Sequence, residues 1–437
     1  MPSTPTPPTI LLLGTCDTKL PELLYTKAAI ESQTDPTTNQ HLKVHLLDIG
    51  RTQTAHSSIT TTQQDLLTAT QTQPPDTDIS TLPRAEYIKT LTPHATTFTK
   101  TLFETASIHG ILAIGGSCGT ALASAVMRDA LPIGFPKMMV STMASGDVAP
   151  YIGETDICMM YSVVDIAGRN RVLEGVLENT AGGIGGMAGR FLLRSTGDVG
   201  REGEVQGEGA VQVAISMFGV TTPAVTRARE YLESVLAGCE VYVFHATGSG
   251  GRAMERLIRE GRIDAVLDLT TTEIADEVVG GVLSAGPERL CAATAAGIPR
   301  VVSVGACDMV NFGGIGSVPA SFRGETGKGR LFHEHNETVT LMRTTKEECV
   351  QIGKVIARNL MGKGTGKTKV VLPVGGVSMI DVPGGPFWDP EVDEVLFSTL
   401  EDELKGSGIE VVRDSRAIND PGFAVLAADA LVKLIRE

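Results

Sequence analysis

The chain has 437 residues, and 37 basic against 51 acidic side chains leave it a net charge of −14. That acidity opposes general binding to nucleic acid or to an anionic membrane, while leaving room for a local cationic pocket. Hydrophobic residues make up 42% and aromatics only 4%, which fits a large packed core and argues against a base-stacking platform for single strands. At roughly 150 residues per domain, two or three domains are expected.

The opening MPSTPTPP has neither the basic region nor the apolar core of a signal peptide, so residues 1–9 read as an unfolded tail. The longest apolar runs, such as ILLL at 10–13, fall far short of the roughly 20 residues of a membrane helix. Seven cysteines without a CxxC or zinc spacing fit a reducing compartment, and a soluble cytoplasmic protein is expected.

From residue 9, TILLLGT reads as a buried strand, 21–30 as an amphipathic helix with Pro21 in its first turn, and KVHLLDIG (43–50) as the next strand. This β-α-β opening predicts a parallel sheet. Residues 52–82, rich in Thr and Gln, predict a surface excursion or partner-contact loop. The alternation resumes with a helix over 95–108, strand GILAIGG (110–116), a helix over 119–130 and strand KMMVST (137–142). A strand near 157–162 and a Gly-rich helix near 169–193 close this half.

STGDVGREGEVQGEG (195–209) is nearly devoid of apolar residues and reads as a domain linker. The pattern then restarts with VQVAISMFG, a helix from Pro223, VYVFHATG, a helix from Arg252 and AVLDLTT. RVVSVGA, KVVLPVGG and IEVVRD predict three more strands before a terminal helix. The expected fold is α/β: two doubly wound, Rossmann-like subdomains with mainly parallel sheets, over 10–204 and 205–437.

In such sheets ligands sit at the carboxyl ends of strands, where loops present N–H groups and helix N-termini. GTCDTK places Thr15, Asp17, Thr18 and Lys19 after the first strand, with hydroxyls and an ammonium for a phosphate. Asp17 either caps the following helix or holds Mg²⁺. Arg51 follows the second strand as a further phosphate candidate. GGSCGT is a Gly-rich turn of Gly115, Gly116, Ser117, Gly119 and Thr120, suited either to cradling an anion or to tight strand–helix packing. STMASGDV adds Ser145, Gly146 and a second Mg²⁺ candidate, Asp147.

The second half repeats the theme. SMFGVTTP supplies Gly219, Thr221 and Thr222; HATGSGGRAME supplies Thr247, Gly248, Gly250 and Gly251 before a helix; LDLTTTE supplies Asp268, Thr270, Thr271 and Thr272. So many small polar turns predict a nucleotide-sized anionic ligand. GKGTGKT (362–368) is refused as a Walker A loop, because it has three residues between its first two relevant glycines where four are required, and it runs from helix to strand. His333 and His335 share a strand face without further ligands, so a structural role is preferred over metal binding. No histidine pattern marks Cys118 as a nucleophile, and no GxSxG or HExxH occurs.

GTCDTK, GGSCGT, STMASGD, YIGETDICMMYSVVDI, MFGVTTPAV, FHATGSGGRAME, LDLTTTEIAD, SVGACDMVNFG and HEHNETVTLMRTT, taken in order, resemble the tomato mosaic virus resistance protein family, in particular its ATP-binding N-terminal module. The resemblance runs from about residue 10 to the C-terminus. It implies a two-subdomain α/β fold that binds ATP with Mg²⁺ and self-associates. The antiviral contact made by the plant protein is not carried over. Plant members show GGSGGT where this chain has Cys118, and they carry a further TIM-barrel domain for which no residues are left here.

The expected function is therefore ATP–Mg²⁺ binding by strand-end loops near the interdomain cleft, with no nucleic-acid or membrane partner. Two alternatives stand beside it. One is an ATP-dependent ligase or hydrolase working with a separate TIM-barrel protein, for which Asp165, Asp268 and Asp308 are candidate bases. The other is a regulatory scaffold that the nucleotide merely stabilises.

Overall fold

The structure is a computed structural model that describes residues 7–36, 38–69, 78–196, 210–324, 329–362 and 367–437. The chain divides into two compact units, Met1–Gly203 and Glu204–Glu437.

The N-terminal unit runs β1 (Thr9–Gly14), α1 (Cys16–Glu31), β2 (Lys43–Asp48), α2 (Gln63–Ala69), α3 (Arg84–Glu104), β3 (Gly110–Gly115), α4 (Ser117–Ala130), β4 (Lys137–Ser141), α5 (Ala149–Ile152), β5 (Cys158–Tyr161) and α6 (Arg171–Thr196). Its five strands are parallel in the order β2-β1-β3-β4-β5. Alternation along each strand decides the layers. Leu11, Leu13, Ile111 and Ala113 pack against Leu91 and Ala95 of α3 and Leu122 and Val126 of α4. Ile10, Leu12, Leu112 and Ile114 face the other way, onto Leu23 and Ile30 of α1 and Leu173 and Leu177 of α6. Because both faces are covered, the strands read as continuous apolar runs rather than as polar–apolar alternation.

The C-terminal unit runs β6 (Gln212–Met217), α7 (Thr222–Val235), β7 (Glu240–His245), α8 (Ser249–Arg259), β8 (Ala265–Thr270), α9 (Thr272–Val279), α10 (Cys291–Ala296), β9 (Arg300–Gly305), β10 (Met309–Phe312), β11 (Phe332–Asn336), β12 (Val339–Arg343), α11 (Lys346–Leu360), β13 (Thr368–Pro373), α12 (Pro390–Leu404), β14 (Glu410–Asp414) and α13 (Pro421–Arg436). Six strands form a parallel sheet in the order β14-β13-β9-β8-β6-β7. Val213, Ile215, Leu267 and Val301 pack on α7 and α13, while Val302, Val304, Val370 and Leu372 pack on α11 and α12. Truncating one such fully buried leucine to alanine typically costs about 2–5 kcal/mol.

The α/β architecture with two mainly parallel, doubly wound sheets is the one expected from the strand–helix alternation. Four details differ. The helix expected over 95–108 is α3, which spans Arg84–Glu104. A separate antiparallel sheet, β10-β12-β11, interrupts the second unit, and HEHN lies on β11, one of its two outer strands. The helix expected from Pro21 starts five residues earlier, at Cys16, with a non-helical Lys19 (φ −135°, ψ 23°) dividing a first turn from the body. The Thr/Gln-rich stretch is also partly built in. Leu66 of α2 and Ile79 are buried, Thr61 bridges Leu47, and residues 70–77 lie outside the described part. Most of the expected linker (197–209), the first six residues of the expected tail and the middle of GKGTGKT (363–366) also lie outside it.

Candidate functional site

Winding out from β1 to β2 and back across to β3 makes the β1/β3 gap the topological switch point of the first sheet. A cavity of about 320 Å³ opens there, lined by Thr15, Asp17, Thr18, Lys19, Arg51, Arg84, Tyr87, Gly116, Ser117, Cys118 and Gly119. Eight of the expected site residues are thus brought together. Arg84, Tyr87 and Cys118 join them.

Each wall has a local cause. At the end of β3, Gly115 is required, because a Cβ there would lie 2.9 Å from the Gly119 Cα. The helix α4 therefore starts hard against the strand. No side chain caps it, and the N–H groups of its first turn have no acceptor within the helix. They point at the place where an anion is stabilised by the helix dipole.

The β1 and β2 loops are locked to each other by two carboxylates. Asp48 Oδ1 accepts the amides of Cys16 at 3.0 Å and Gly50 at 2.7 Å, and burial raises its carboxyl above the usual range against those bonds. Asp17 Oδ2 accepts the amides of Arg51 and Thr52, each at 3.0 Å. Asp17 is thus a loop clasp rather than a helix cap, and its buried Oδ1 has no partner. That free oxygen fits a Mg²⁺ ion or a water bound to one. Among the described residues, no group of three or more His, Cys, Asp or Glu side chains is placed to hold a metal ion by itself.

Three cations converge. The kink at Lys19 lets its Nζ donate to the Ile166 carbonyl at 2.5 Å, leaving its other protons for the cavity. Arg51 donates to the Leu82 carbonyl, while its buried Nε has no partner. Arg84, in the first turn of α3, is exposed and carries no side-chain hydrogen bond or ion pair among the described residues. Tyr87, one turn on, donates to the Ile49 carbonyl, and burial pushes its phenol up, so it serves as a neutral wall.

The remaining expected residues are placed elsewhere. Thr120 is buried and bonded to Ser141 at 2.6 Å, behind the cavity. Ser145, Gly146 and Asp147 are exposed and do not line it, and Asp147 Oδ1 accepts the Ala149 amide, so it is a local turn residue and not a metal ligand in this cavity.

The C-terminal loops correct the expectation most. The Gly248 and Gly251 amides, expected to hold phosphate, both donate to Glu273 Oε1, at 2.7 and 3.0 Å. Glu273 in turn binds Arg289 Nε at 2.7 Å, and Arg289 also grips Asp268 and Glu255. Gly250 packs against the His245 carbonyl, and Thr247 bonds that same carbonyl at 3.2 Å. Thr221 and Thr270 are buried and bonded to each other at 2.8 Å, and Thr271 donates to the Ser303 carbonyl at 3.0 Å. Only Gly219 and Thr222 of this group are exposed. Of the candidate bases, Asp268 and Asp308 are sealed from solvent, and exposed Asp165 accepts its neighbour's amide.

The helix expected over 95–108 left Arg84 outside any element, whereas α3 starts at Arg84 and carries it to the cavity. Nothing in its spacing from the glycine loops pointed into the cavity.

A doubly wound sheet with a helix-flanked cavity at its switch point, lined by Lys19, Arg51 and Arg84, defines a Rossmann-like α/β protein with a cationic crevice. The chain belongs to the UPF0261 family, described as an uncharacterised protein family, whose N-terminal domain matches residues 8–191 and whose C-terminal domain matches residues 210–435. A UPF0261 protein of Clostridium tetani is 43% identical over 98% of this chain and 99% of its own length. The ToMV resistance protein Tm-1 of Solanum lycopersicum is 38% identical over 98% of this chain, which spans 56% of that longer protein. Among solved structures, a UDP-N-acetylglucosamine 2-epimerase aligns over 68% of this chain and 79% of its own, with 12% identity and a TM-score of 0.18. The enzyme from Rickettsia bellii covers 68% and 78%, with 10% identity and a TM-score of 0.20. Such scores transfer nothing about function. No helix among the described residues is long and apolar enough to cross a membrane.

Proposed function

We propose that the N-terminal unit binds a phosphate-bearing nucleotide, ATP with Mg²⁺ first among candidates, at the β1/β3 switch point. The carrying observation is the convergence of Lys19, Arg51 and Arg84 on the uncapped start of α4. Phosphate oxygens accept from the first-turn amides around Ser117–Gly119, and the three cations offset their charge. Asp17 Oδ1 would hold Mg²⁺, directly or through a water, and the metal would neutralise phosphate charge. The cavity is at the small end of ligand pockets, so it takes the phosphate chain while the nucleoside lies at its mouth. The family resemblance of GTCDTK and GGSCGT supports ATP over other nucleotides and makes self-association part of the proposal.

The test is thermal unfolding of the whole chain against a panel of nucleotides and inorganic phosphate, with and without Mg²⁺, followed by product analysis. ATP–Mg²⁺ at about 100 times its Kd should stabilise the protein by ~2.7 kcal/mol. An unchanged transition with every nucleotide would remove the proposal. Appearance of ADP or AMP would make the site enzymatic.

A further inference from the structure

The C-terminal unit holds a second ionic cluster that the nucleotide reading does not use. Arg343, at the end of β12, meets three aspartates that arrive from three other segments. Its Nη2 lies 2.6 Å from Asp393 Oδ1 on α12 and 3.7 Å from Asp381 Oδ1 in the 374–389 loop. Its Nη1 donates to the backbone carbonyl of Asp308, just past β9, at 3.3 Å. The Asp308 side chain accepts from Ser378 of the same loop at 2.8 Å. All four residues are sealed: Asp308 is 1% exposed, Asp381 0%, Asp393 3% and Arg343 6%.

Two features of this cluster are incomplete. Three carboxylates face one guanidinium, so full ionisation would leave two uncompensated charges away from water. In addition, Asp308 Oδ1 and Asp381 Oδ1 are buried without any hydrogen-bond partner. A buried carboxylate oxygen in that position is a strong acceptor that normally finds a donor.

The surrounding groups do not supply one. Cys307 and Cys349 face the cluster as neutral thiols, both pushed up by burial. Glu348 is held by Arg330, Glu391 by Lys346 and Asp268 by Arg289. Asp389 caps α12 through the Val392 amide, and the His333 ring meets Phe387 edge-on with centroids 6.2 Å apart.

We infer that the Asp308–Asp381–Asp393–Arg343 cluster is a proton-binding site that fastens the 374–389 loop to the sheet. With a proton held among the aspartates, the loop is pinned by Ser378 and by Arg343, which donates to the carbonyls of Phe387 at 2.9 Å and Asp389 at 3.3 Å, either side of Trp388. With the proton gone, the carboxylates repel and the segment around Trp388 loosens. Burial, and then the neighbouring carboxylate, push the Asp308 carboxyl up, and burial does the same for Asp393 against the pull of Arg343. The sign follows: carboxyls raised in the fold stabilise it at low pH, and that contribution is lost as pH rises through their folded values.

Trp388 is the only tryptophan, so its emission reports on this loop alone. It should change in one sigmoidal step between about pH 5 and about pH 9, and amide exchange in 374–389, corrected for intrinsic rates, should rise at least tenfold across the same step. Asp308→Asn, which removes one of the two raised carboxyls and mimics its protonated form, should shrink or shift the step relative to wild type. Should that variant fail to fold, the exchange measurement on the wild-type chain decides alone. Flat exchange across the range would overturn the inference. So would a folded Asp308→Asn chain that titrates like wild type, or a midpoint that moves with Na⁺ or K⁺ at constant ionic strength, which would make the guest a metal cation.

Discussion

Glu273 Oε1 sits 2.7 Å from the Gly248 amide nitrogen and accepts its proton, in the position a phosphate oxygen would take. The second glycine loop therefore has the form of an anion cradle, but its anion is a carboxylate of its own chain. A Cβ on Gly251 would fall 2.1 Å from Glu273 Oε2, which explains a glycine there without any ligand.

Gly251→Ala should consequently act on stability and not on nucleotide binding. The clash forces Glu273 off the loop, and chemical denaturation followed by Trp388 emission should show a loss on the order of 2–3 kcal/mol. ATP affinity of the folded fraction should stay at the wild-type value. Loss of affinity without loss of stability would return this loop to the binding site.

Arg289→Ala should be more damaging still. Its guanidinium pairs directly with Asp268, Glu255 and Glu273, and all four groups are buried. Removing one partner of such a network leaves charges unpaired and typically costs about 3–5 kcal/mol. The same denaturation experiment measures it, and a change under about 1 kcal/mol would mean that the network is not closed to water.

Arg84→Ala separates binding from folding in the first unit. Its side chain makes no hydrogen bond or ion pair among the described residues, so the melting temperature of the free protein should hold. ATP affinity should fall about tenfold, ~1.4 kcal/mol, by calorimetric titration. Lys19→Ala should lose as much affinity and some stability too, since its ammonium also holds the Ile166 carbonyl. Affinities unchanged in both variants would take the cations out of the site.

The buried imidazoles of the first unit and Asp276 of the second should respond to pH in opposite directions. Asp48 of the first unit, whose carboxyl burial raises, opposes the imidazoles in the acid range. In the first, burial holds the imidazoles of His45, His94 and His109 below their usual range, and His109 Nδ1 accepts the Thr9 amide at 3.1 Å, which requires an unprotonated nitrogen. Depressed bases contribute stability that is present above the unfolded value of ~6.5 and lost as pH falls through the folded ones. In the second, Asp276 accepts the amides of Asn311 and Leu283, yet burial pushes its carboxyl up to about 7. Its contribution is present below an unfolded value of ~4 and lost as pH rises through neutrality. Hydrogen exchange read separately for peptides around the three histidines and around Asp276 should show the first loosening on acidification and the second on alkalinisation. Parallel responses would contradict these assignments.

The fold was largely legible, because strands covered on both faces write themselves as short apolar runs such as ILLL and ILAI between helical stretches. The antiparallel β10-β12-β11 sheet was not, since its strands are four or five residues long and are completed by pairing rather than by composition. In the candidate site, Thr15, Asp17, Lys19, Arg51 and the GGSCGT turn were readable, because they directly follow strand ends and strand ends converge in a doubly wound sheet.

What the sequence by itself determined is local: which segments become strands and helices, where the chain turns, and which turns are small enough for a backbone to be approached closely. What approaches was decided only by tertiary structure. The same glycine-rich composition leaves the α4 amides open to a ligand and hands those of Gly248 and Gly251 to Glu273, a residue 22 to 25 positions away. Arg84 likewise reaches the first cavity, and Arg343 gathers Asp308, Asp381 and Asp393, through packing of elements far apart in the chain. Glycine encodes the absence of a side chain, and absence does not specify its occupant; the long-range register of sheet and helices does.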